Sequence, residues 1–258
     1  MREKMPLKQR AAAGLVSYGL AMVLPCTSTI EMAALAGYDF IRLDCEHAMF
    51  STEELRQLLQ TARLIGMPCQ VRVSDLTGIT PLLGQEPSGI MIPHVESILE
   101  AKEAVEYCRF APVGKRGMDG NTRRMRCEGM KRDEYMKYSA ETMDLIVQIE
   151  SKKALENADG IIRVPGIDMI ATGRADLSQE LGVPGQKDHP DVVNAENEII
   201  RKTVENGKFP IITAGSPKRI QELYEMGVRC FVVGKDENLL AQGIRKNLAA
   251  MKGDQKWA

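Results

Sequence analysis

The chain is expected to fold as a single α/β domain, a (β/α)8 TIM barrel spanning residues 1–258. Eight short apolar runs of strand length recur along it, each followed by a segment of helical pattern. Strands that alternate with helices are parallel neighbours, because a parallel pair needs a crossover connection. Eight such units also fit the ~250 residues typical of this barrel. A doubly wound open sheet is the rival, but no G-x-G-x-x-G follows the first strand.

A basic lead-in, residues 1–13, precedes strand one at Gly14–Leu24. Basic Met1–Arg10 followed by largely apolar Ala11–Leu24 has the layout of a secretory leader. Reading it instead as lead-in and first strand keeps the strand count at eight. Pro25–Thr29 supplies hydroxyls suited to cap a helix over Ile30–Ala36, ended by Gly37. Strand two is Tyr38–Leu43. Ser51 and Glu54 stand at capping-box spacing before a helix that ends near Gly66. Strand three is Cys69–Val73, a helical turn covers Ile79–Leu83, strand four is Gly89–Ile92, and Ile98–Cys108 is an amphipathic helix.

Phe110–Tyr138, carrying Gly114, Gly117, Gly120 and many basic residues, is expected to be irregular. Strand five is Leu145–Ile149, with a helix through Ala158, and strand six is Ile167–Ala171. Leu177–Pro190 is rich in Gly and Pro and reads as a long loop. Helix Asn194–Asn206, strand seven at Pro210–Ala214, helix Pro217–Met226, strand eight at Cys230–Val233 and a last helix from Glu237 to about Met251 complete the chain.

Composition removes several classes of function. With 34 basic against 35 acidic residues the chain is near neutral, which argues against nucleic acid as a partner. The Ala11–Leu24 run is too short and interrupted to span a bilayer, so no membrane partner is expected. Six scattered cysteines with no C-x-x-C pair read as reduced thiols in a cytoplasmic protein.

In such a barrel the reactive groups lie at the C-terminal ends of the strands. Strand two ends in Asp44, Glu46 and His47, and strand three runs Gln70-Val71-Arg72. Strand five ends in Gln148-Ile149-Glu150, and strand six leads through Gly173 and Arg174 to Asp176. Singly, each has a plain structural role. His47 suits a surface loop, Arg72 a rim ion pair, and Glu150 or Asp176 the first turn of a helix. Together they aim a base, a cation and two carboxylates at one mouth. Two carboxylates on neighbouring strands make a hard oxygen site for Mg²⁺ or Mn²⁺, with Co²⁺ or Zn²⁺ as further candidates. Arg72 adds a fixed cationic fork for a carboxylate or developing oxyanion. His47, held by Asp44, supplies a base whose reference pKa of ~6.5 suits neutral pH.

The order and spacing of several segments resemble the HpcH/HpaI family of metal-dependent 2-oxo acid aldolases, which includes 4-hydroxy-2-oxoheptanedioate and 2-dehydro-3-deoxyglucarate aldolases. The matching runs are Glu31 through Ala36-Gly37-Tyr38-Asp39-Phe40, Leu43-Asp44-Cys45-Glu46-His47, Val71-Arg72-Val73 and Gly89 through Val95. They continue with Pro112 through Gly117, Val147-Gln148-Ile149-Glu150-Ser151, Gly173 through Ser178, and Gly234-Lys235-Asp236. The resemblance implies that Glu150 and Asp176 bind a divalent metal, that Arg72 stabilises the enolate of pyruvate, and that Asp44 and His47 form the acid/base pair. It places Gln148 beside the metal and the substrate carboxylate on the backbone near Gly173. It also implies a last helix, with Leu239, Leu240, Ile244 and Leu248, exchanged between subunits of a homo-oligomer, a hexamer or trimer of dimers.

The expected activity is class II aldol cleavage of a 4-hydroxy-2-oxo acid to pyruvate, or a close 2-oxo acid, and an aldehyde. Alternatives are a citrate lyase β-like lyase of CoA thioesters and a non-catalytic 2-oxo acid binding barrel. The chain departs from the family pattern in three places. Arg174 stands where the family commonly has Pro, which brings a long cation beside the expected substrate carboxylate and makes Arg174 a substrate-binding candidate. Lys235 replaces a residue that is often small, and the Asp75–Ser88 region is short.

Overall fold

The computed structural model describes residues 5–118 and 122–253. Its centre is a closed parallel barrel of β1 (Ser17–Met22), β2 (Phe40–Asp44), β3 (Cys69–Arg72), β4 (Gly89–Ile92), β5 (Asp144–Ile149), β6 (Met169–Thr172), β7 (Phe209–Thr213) and β8 (Cys230–Lys235). The strands pair in sequence order and β8 closes onto β1. The expected (β/α)8 barrel is the observed fold.

The helices in chain order are α1 (Leu7–Ala12), α2 (Thr27–Ala36), α3 (Thr52–Leu64), α4 (Ile79–Gly84), α5 (Ile98–Cys108), α6 (Arg123–Glu128) and α7 (Arg132–Thr142). They continue with α8 (Lys152–Glu156), α9 (Ala158–Ile162), α10 (Arg174–Glu180), α11 (Pro190–Glu205), α12 (Pro217–Glu225) and α13 (Asp236–Lys252). The Ser51–Glu54 capping box opens α3 as the spacing requires, and Ser97 with Glu100 does the same for α5. No helix among the described residues is long and apolar enough to cross a membrane.

Strand periodicity divides the side chains into two sets. Ile41, Leu43, Val71, Ile90, Ile92, Leu145, Val147 and Ile170 face the helices and form the main core. The opposite parity fills the barrel with Phe40, Met91, Ile146, Met169, Ala171, Ile211, Cys230 and Val232. The Phe40 ring occupies the space where a Cβ on Gly19 would stand, so Gly19 is what lets that ring fill the interior. The inward parity of β2, β3 and β5 also carries Arg42, Asp44, Gln70, Arg72, Asp144 and Gln148. The strand register that positions the reactive groups therefore starts at the barrel floor.

Three segments differ from the sequence reading. The basic lead-in is α1, whose Leu7 and Ala11 pack into the barrel's inner cluster. Lys8 Nζ holds the Ala140 and Met143 carbonyls at 2.8 and 3.0 Å, and Arg10 reaches Ser17, Val16 and Asp39. The lead-in's charges thus pin a plug across the N-terminal end of the strands. The excursion expected to be irregular contains α6 and α7, while Gly120 lies outside the described residues. Their apolar signal is faint because α6 buries no residue and α7 only Tyr135 and Ser139. The expected loop at Leu177–Pro190 is shortened by α10, which is anchored by fully buried Leu177. Ser178 Oγ donates to the Ala175 carbonyl and accepts the Gly185 N–H, tying the remaining loop down.

Candidate active site

The C-terminal ends of β2, β3, β4 and β5 converge on one polar group. Asp44 closes β2 and Arg72 closes β3, in register with each other. Arg72 grips Asp44 with two prongs, Nε to Oδ1 at 3.0 Å and Nη2 to Oδ2 at 2.7 Å. Its remaining nitrogen, Nη1, lies 2.8 Å from Glu46 Oε2 and 3.5 Å from Gln148 Oε1. Burial opposes ionisation of Asp44, but the Arg72 bonds and charge, with the His47 N–H, hold its carboxyl below the usual range. Burial likewise works against the Arg72 cation, and Asp44, Glu46 and Glu150 outweigh it, raising its pKa.

The expected Asp44–His47 pairing takes a different form. Asp44 Oδ1 accepts the backbone N–H groups of Glu46 and His47 at 3.2 and 3.3 Å, which shapes the turn after β2. The His47 ring is half exposed, with Nε2 3.7 Å from Glu46 Oε2. Asp44 thus positions the backbone that carries His47, and its carboxylate is engaged by Arg72. Neighbouring Cys45 is no competing nucleophile, since burial pushes its thiol up to about 11.

Glu150 follows β5 and is buried. Gln148 donates its amide to Glu150 Oε2, and the His94 N–H donates to Oε1 at 3.0 Å. Burial pushes the Glu150 carboxyl up to about 7, with Asp176 and Glu46 adding to the effect and His94 opposing it. Gly173 caps α10 directly against this carboxylate: a Cβ there would run into Glu150 Oε2 and stand 2.8 Å from Gln148 Nε2. Asp176 lies in the first turn of α10, close enough for its charge to act on Glu150.

Donor atoms of Glu46, His94 and Glu150 lie within 4.8 Å of one another. An ion with ligand bonds of about 2.1 Å has neighbouring donors roughly 3 Å apart. Two carboxylates and an imidazole at this spacing fit a divalent cation. The sequence reading placed Glu150 and Asp176 as the metal pair; the structure surrounds Glu150 with Glu46 and His94 and leaves Asp176 outside that group. His94, two residues past the end of β4 in Ile92-Pro93-His94, is a signal legible in the sequence. Glu46 was visible in the run after β2, without an assigned role.

Arg174 does not offer its side chain to this group. Its Nε and Nη2 reach Glu196 Oε2 on α11, both at 2.7 Å, and Nη1 reaches Asp188 at 3.0 Å. The expected cation beside the substrate carboxylate is instead a tie between α10 and α11. Lys235, at the end of β8, lies 3.5 Å from Glu237 and is also accounted for as a surface pair.

A family model described as "HpcH/HpaI aldolase/citrate lyase" matches residues 22–242. The 2-keto-3-deoxy-L-rhamnonate aldolase of Klebsiella pneumoniae is 31% identical over 253 residues, covering 96% of this chain and 94% of that protein. The crystal structure of an HpcH/HpaI aldolase from Desulfitobacterium hafniense superposes with a TM-score of 0.89 at 26% identity, covering 99% of this chain and 100% of that one. The crystal structure of the citrate synthase SbnG gives 0.87 at 28% identity, covering 96% and 98%. With the closed barrel and the acidic group at its C-terminal mouth, these matches establish that the chain belongs to the HpcH/HpaI aldolase/citrate lyase family and is an enzyme of the carbon–carbon lyase type.

Proposed function

We propose that the protein catalyses reversible, divalent-metal-dependent aldol cleavage of a 4-hydroxy-2-oxo acid to pyruvate, or a close 2-oxo acid, and an aldehyde. The observation that carries this is the Arg72 fork, locked by Asp44 beside buried Glu150 at the mouth of the barrel. Glu150 and Asp176, with Glu46 and His94 beside them, would hold Mg²⁺ or Mn²⁺, or Co²⁺ or Zn²⁺, and such an ion polarises a 2-oxo acid carbonyl. Arg72 supplies a fixed positive charge for the oxyanion that develops when the C3–C4 bond breaks. Because the fork is already held by Asp44 and Glu46, little reorganisation is needed as that charge appears. Gln148 orients Glu150, and the backbone at Gly173 meets the substrate carboxylate. His47, half exposed at the rim, takes the proton from the C4 hydroxyl and returns one in the reverse direction.

The substrate named for the Klebsiella relative, 2-keto-3-deoxy-L-rhamnonate, is a 4-hydroxy-2-oxo acid and is the first compound to test. Purified protein with Mg²⁺ or Mn²⁺ is expected to release pyruvate from it and to exchange the methyl protons of pyruvate with solvent, both abolished by EDTA and restored by metal. Turnover that survives chelation and is trapped on Lys235 by borohydride would overturn the reading. The family description names citrate lyase beside aldolase and supports a second reading, a citrate lyase β-like lyase of CoA thioesters; turnover that requires a CoA ester would favour it.

The exposed apolar stripe of α13, with Leu239, Leu240, Ile244 and Leu248, supports assembly as a homo-oligomer through exchange of this helix between neighbours. The cysteines among the described residues are free, in keeping with a cytoplasmic location.

A further inference from the structure

Between α3, the end of α4 and the α6–α7 pair lies a cleft of about 530 Å³, within the size range of small-molecule sites. Cys69, Ser88 and Met143 of its wall stand at or just before the first residues of β3, β4 and β5, so it opens at the N-terminal ends of the strands. The reactive group lies at the opposite end. Buried Leu59, Met67, Leu83 and Met143 make one side of the cleft apolar. The rest is cationic: among the described residues, Arg63, Arg116, Arg123 and Arg124 line it against Glu86 and Glu128. Arg116 is taken up by the fold, Nη1 donating to Ser139 Oγ and Nη2 to the Leu83 carbonyl, both at 3.1 Å. Glu128 is shared, Oε1 with Arg123 at 2.7 Å and Oε2 with Arg124 at 2.8 Å. Arg63 donates Nη1 to the Gln85 carbonyl at 2.9 Å, and its buried Nε has no hydrogen-bond partner among the described residues. Burial and the charges of Arg123 and Arg124 hold the Arg63 guanidinium below its usual range, against the pull of Glu86 and Glu128. The two acids therefore leave positive charge at Arg63 unanswered, and a half-buried cation in that state is stabilised by an anion.

A second set of polar atoms in the same cleft also lacks partners. Glu86 turns the chain between α4 and β4 with a φ of +58°, a conformation that persists in a side-chain-bearing residue where the surroundings enforce it. Its side chain is 7% exposed, and Oε2 has no hydrogen-bond partner among the described residues, Arg124 Nε standing 3.7 Å away. Ser88 Oγ is buried and likewise without a partner there. An ionised carboxylate only accepts hydrogen bonds, so Glu86 Oε2 calls for a donor. We propose that this cleft is a second binding site, which takes a small organic anion that also carries hydroxyl groups, a phosphate ester or a hydroxy carboxylate. Arg63 and Arg123 meet the anionic end, since guanidinium planes match the oxygens of carboxylate and phosphate. Glu86 Oε2 and Ser88 Oγ take the hydroxyls, and the leucine and methionine side covers the carbon chain. Because the barrel separates this cleft from Arg72 and Glu150, the anion does not compete with the 2-oxo acid.

The test is calorimetric titration of the full chain, kept in EDTA so that the mouth of the barrel offers no cation, with glycerol 3-phosphate, gluconate and uncharged glycerol. At least one of the two anions is expected to bind at one site per chain and glycerol not at all; the tighter anion identifies the class. Its affinity should fall at least about tenfold in Arg63→Met and change less than about twofold in Arg72→Lys, as loss of one charge-assisted contact at the cleft requires. Removing the hydroxyls, with inorganic phosphate in place of glycerol 3-phosphate or acetate in place of gluconate, should weaken binding. That difference should close in Glu86→Asn, a residue that tolerates the left-handed backbone. An unchanged difference overturns the assignment of Glu86 as hydroxyl acceptor. A further measurement needs no variant: phenylglyoxal should modify Arg63 and Arg123 of the wild-type protein, and the tighter anion should protect both, read by peptide mass mapping. No binding at millimolar anion overturns the proposal, as does binding that is lost in Arg72→Lys and kept in Arg63→Met. Equal modification of Arg63 with and without the anion overturns it as well, however well the variants fold. None of these outcomes bears on aldol turnover, so the proposed function is tested separately.

Discussion

Asp44 and Arg72 meet as a two-pronged ion pair, Nε to Oδ1 at 3.0 Å and Nη2 to Oδ2 at 2.7 Å, between adjacent strand ends. A planar guanidinium held at two points cannot rotate, so Nη1 is fixed toward Glu46 and Gln148. A lysine keeps the charge and loses this geometry. Arg72→Lys is therefore expected to lower kcat for 2-oxo acid cleavage by about 10²–10³, the range found when one oxyanion donor is lost. Steady-state kinetics beside a thermal melt checks this, and a kcat within threefold of wild type would show that the fork is not the oxyanion donor.

His47 is held through its backbone, and its half-exposed ring stands 3.7 Å from Glu46 Oε2. His47→Gln should reduce kcat by about 10²–10⁴, the usual contribution of a general acid or base, with KM for the 2-oxo acid nearly unchanged. A rise in KM with kcat unchanged would make His47 a binding residue.

Arg174 ties Glu196 to α10, and Arg219 Nη2 also reaches Glu196, at 2.8 Å. Arg174→Ala should therefore cost about 1–3 kcal/mol by chemical denaturation, since Glu196 keeps a second cation partner. KM for the 2-oxo acid should change less than twofold. A tenfold rise in KM without loss of stability would return this side chain to the substrate.

The sequence carries the parity of each strand, and parity is what aims Asp44, Arg72, Gln148 and Glu150 into the barrel. β4 and α5 fall where apolar runs and caps place them. What escaped are partnerships across many residues. Nothing near Arg174 points to Glu196, 22 positions on, and nothing near Glu46 points to His94. α1 escaped because only Leu7 and Ala11 of its six residues are buried, too few to show a period.

Leu7 is 1% exposed and seals the barrel floor, at the opposite end from the reactive group. Leu7→Ala should destabilise by about 2–5 kcal/mol, as for other buried leucines. Activity at low temperature should be retained, because the cavity opens far from Arg72 and Glu150. Full loss of stability with loss of activity at all temperatures would mean that the plug also organises the mouth.

Asp144 lies at the floor, fully buried, on the same register row as Arg42 and Gln70. Neither carboxylate oxygen has a hydrogen-bond partner among the described residues. Burial, with Asp168 adding negative charge, pushes its carboxyl up to about 7, against the pull of Lys8 and Arg109. An unfolded aspartate titrates near 3.9. Between these values the folded protein binds the extra proton, so this group favours folding fully below about 4 and loses that advantage as pH rises through about 7. The slope approaches ~1.4 kcal/mol per pH unit inside the window. Asp144→Asn cannot ionise and should remove that slope. The stability difference between variant and wild type, measured by denaturant unfolding from pH 4 to 8, should shift in the variant's favour with rising pH and level off above 7. A difference that stays flat across this range would mean that Asp144 is ionised in the folded barrel at all of these pH values.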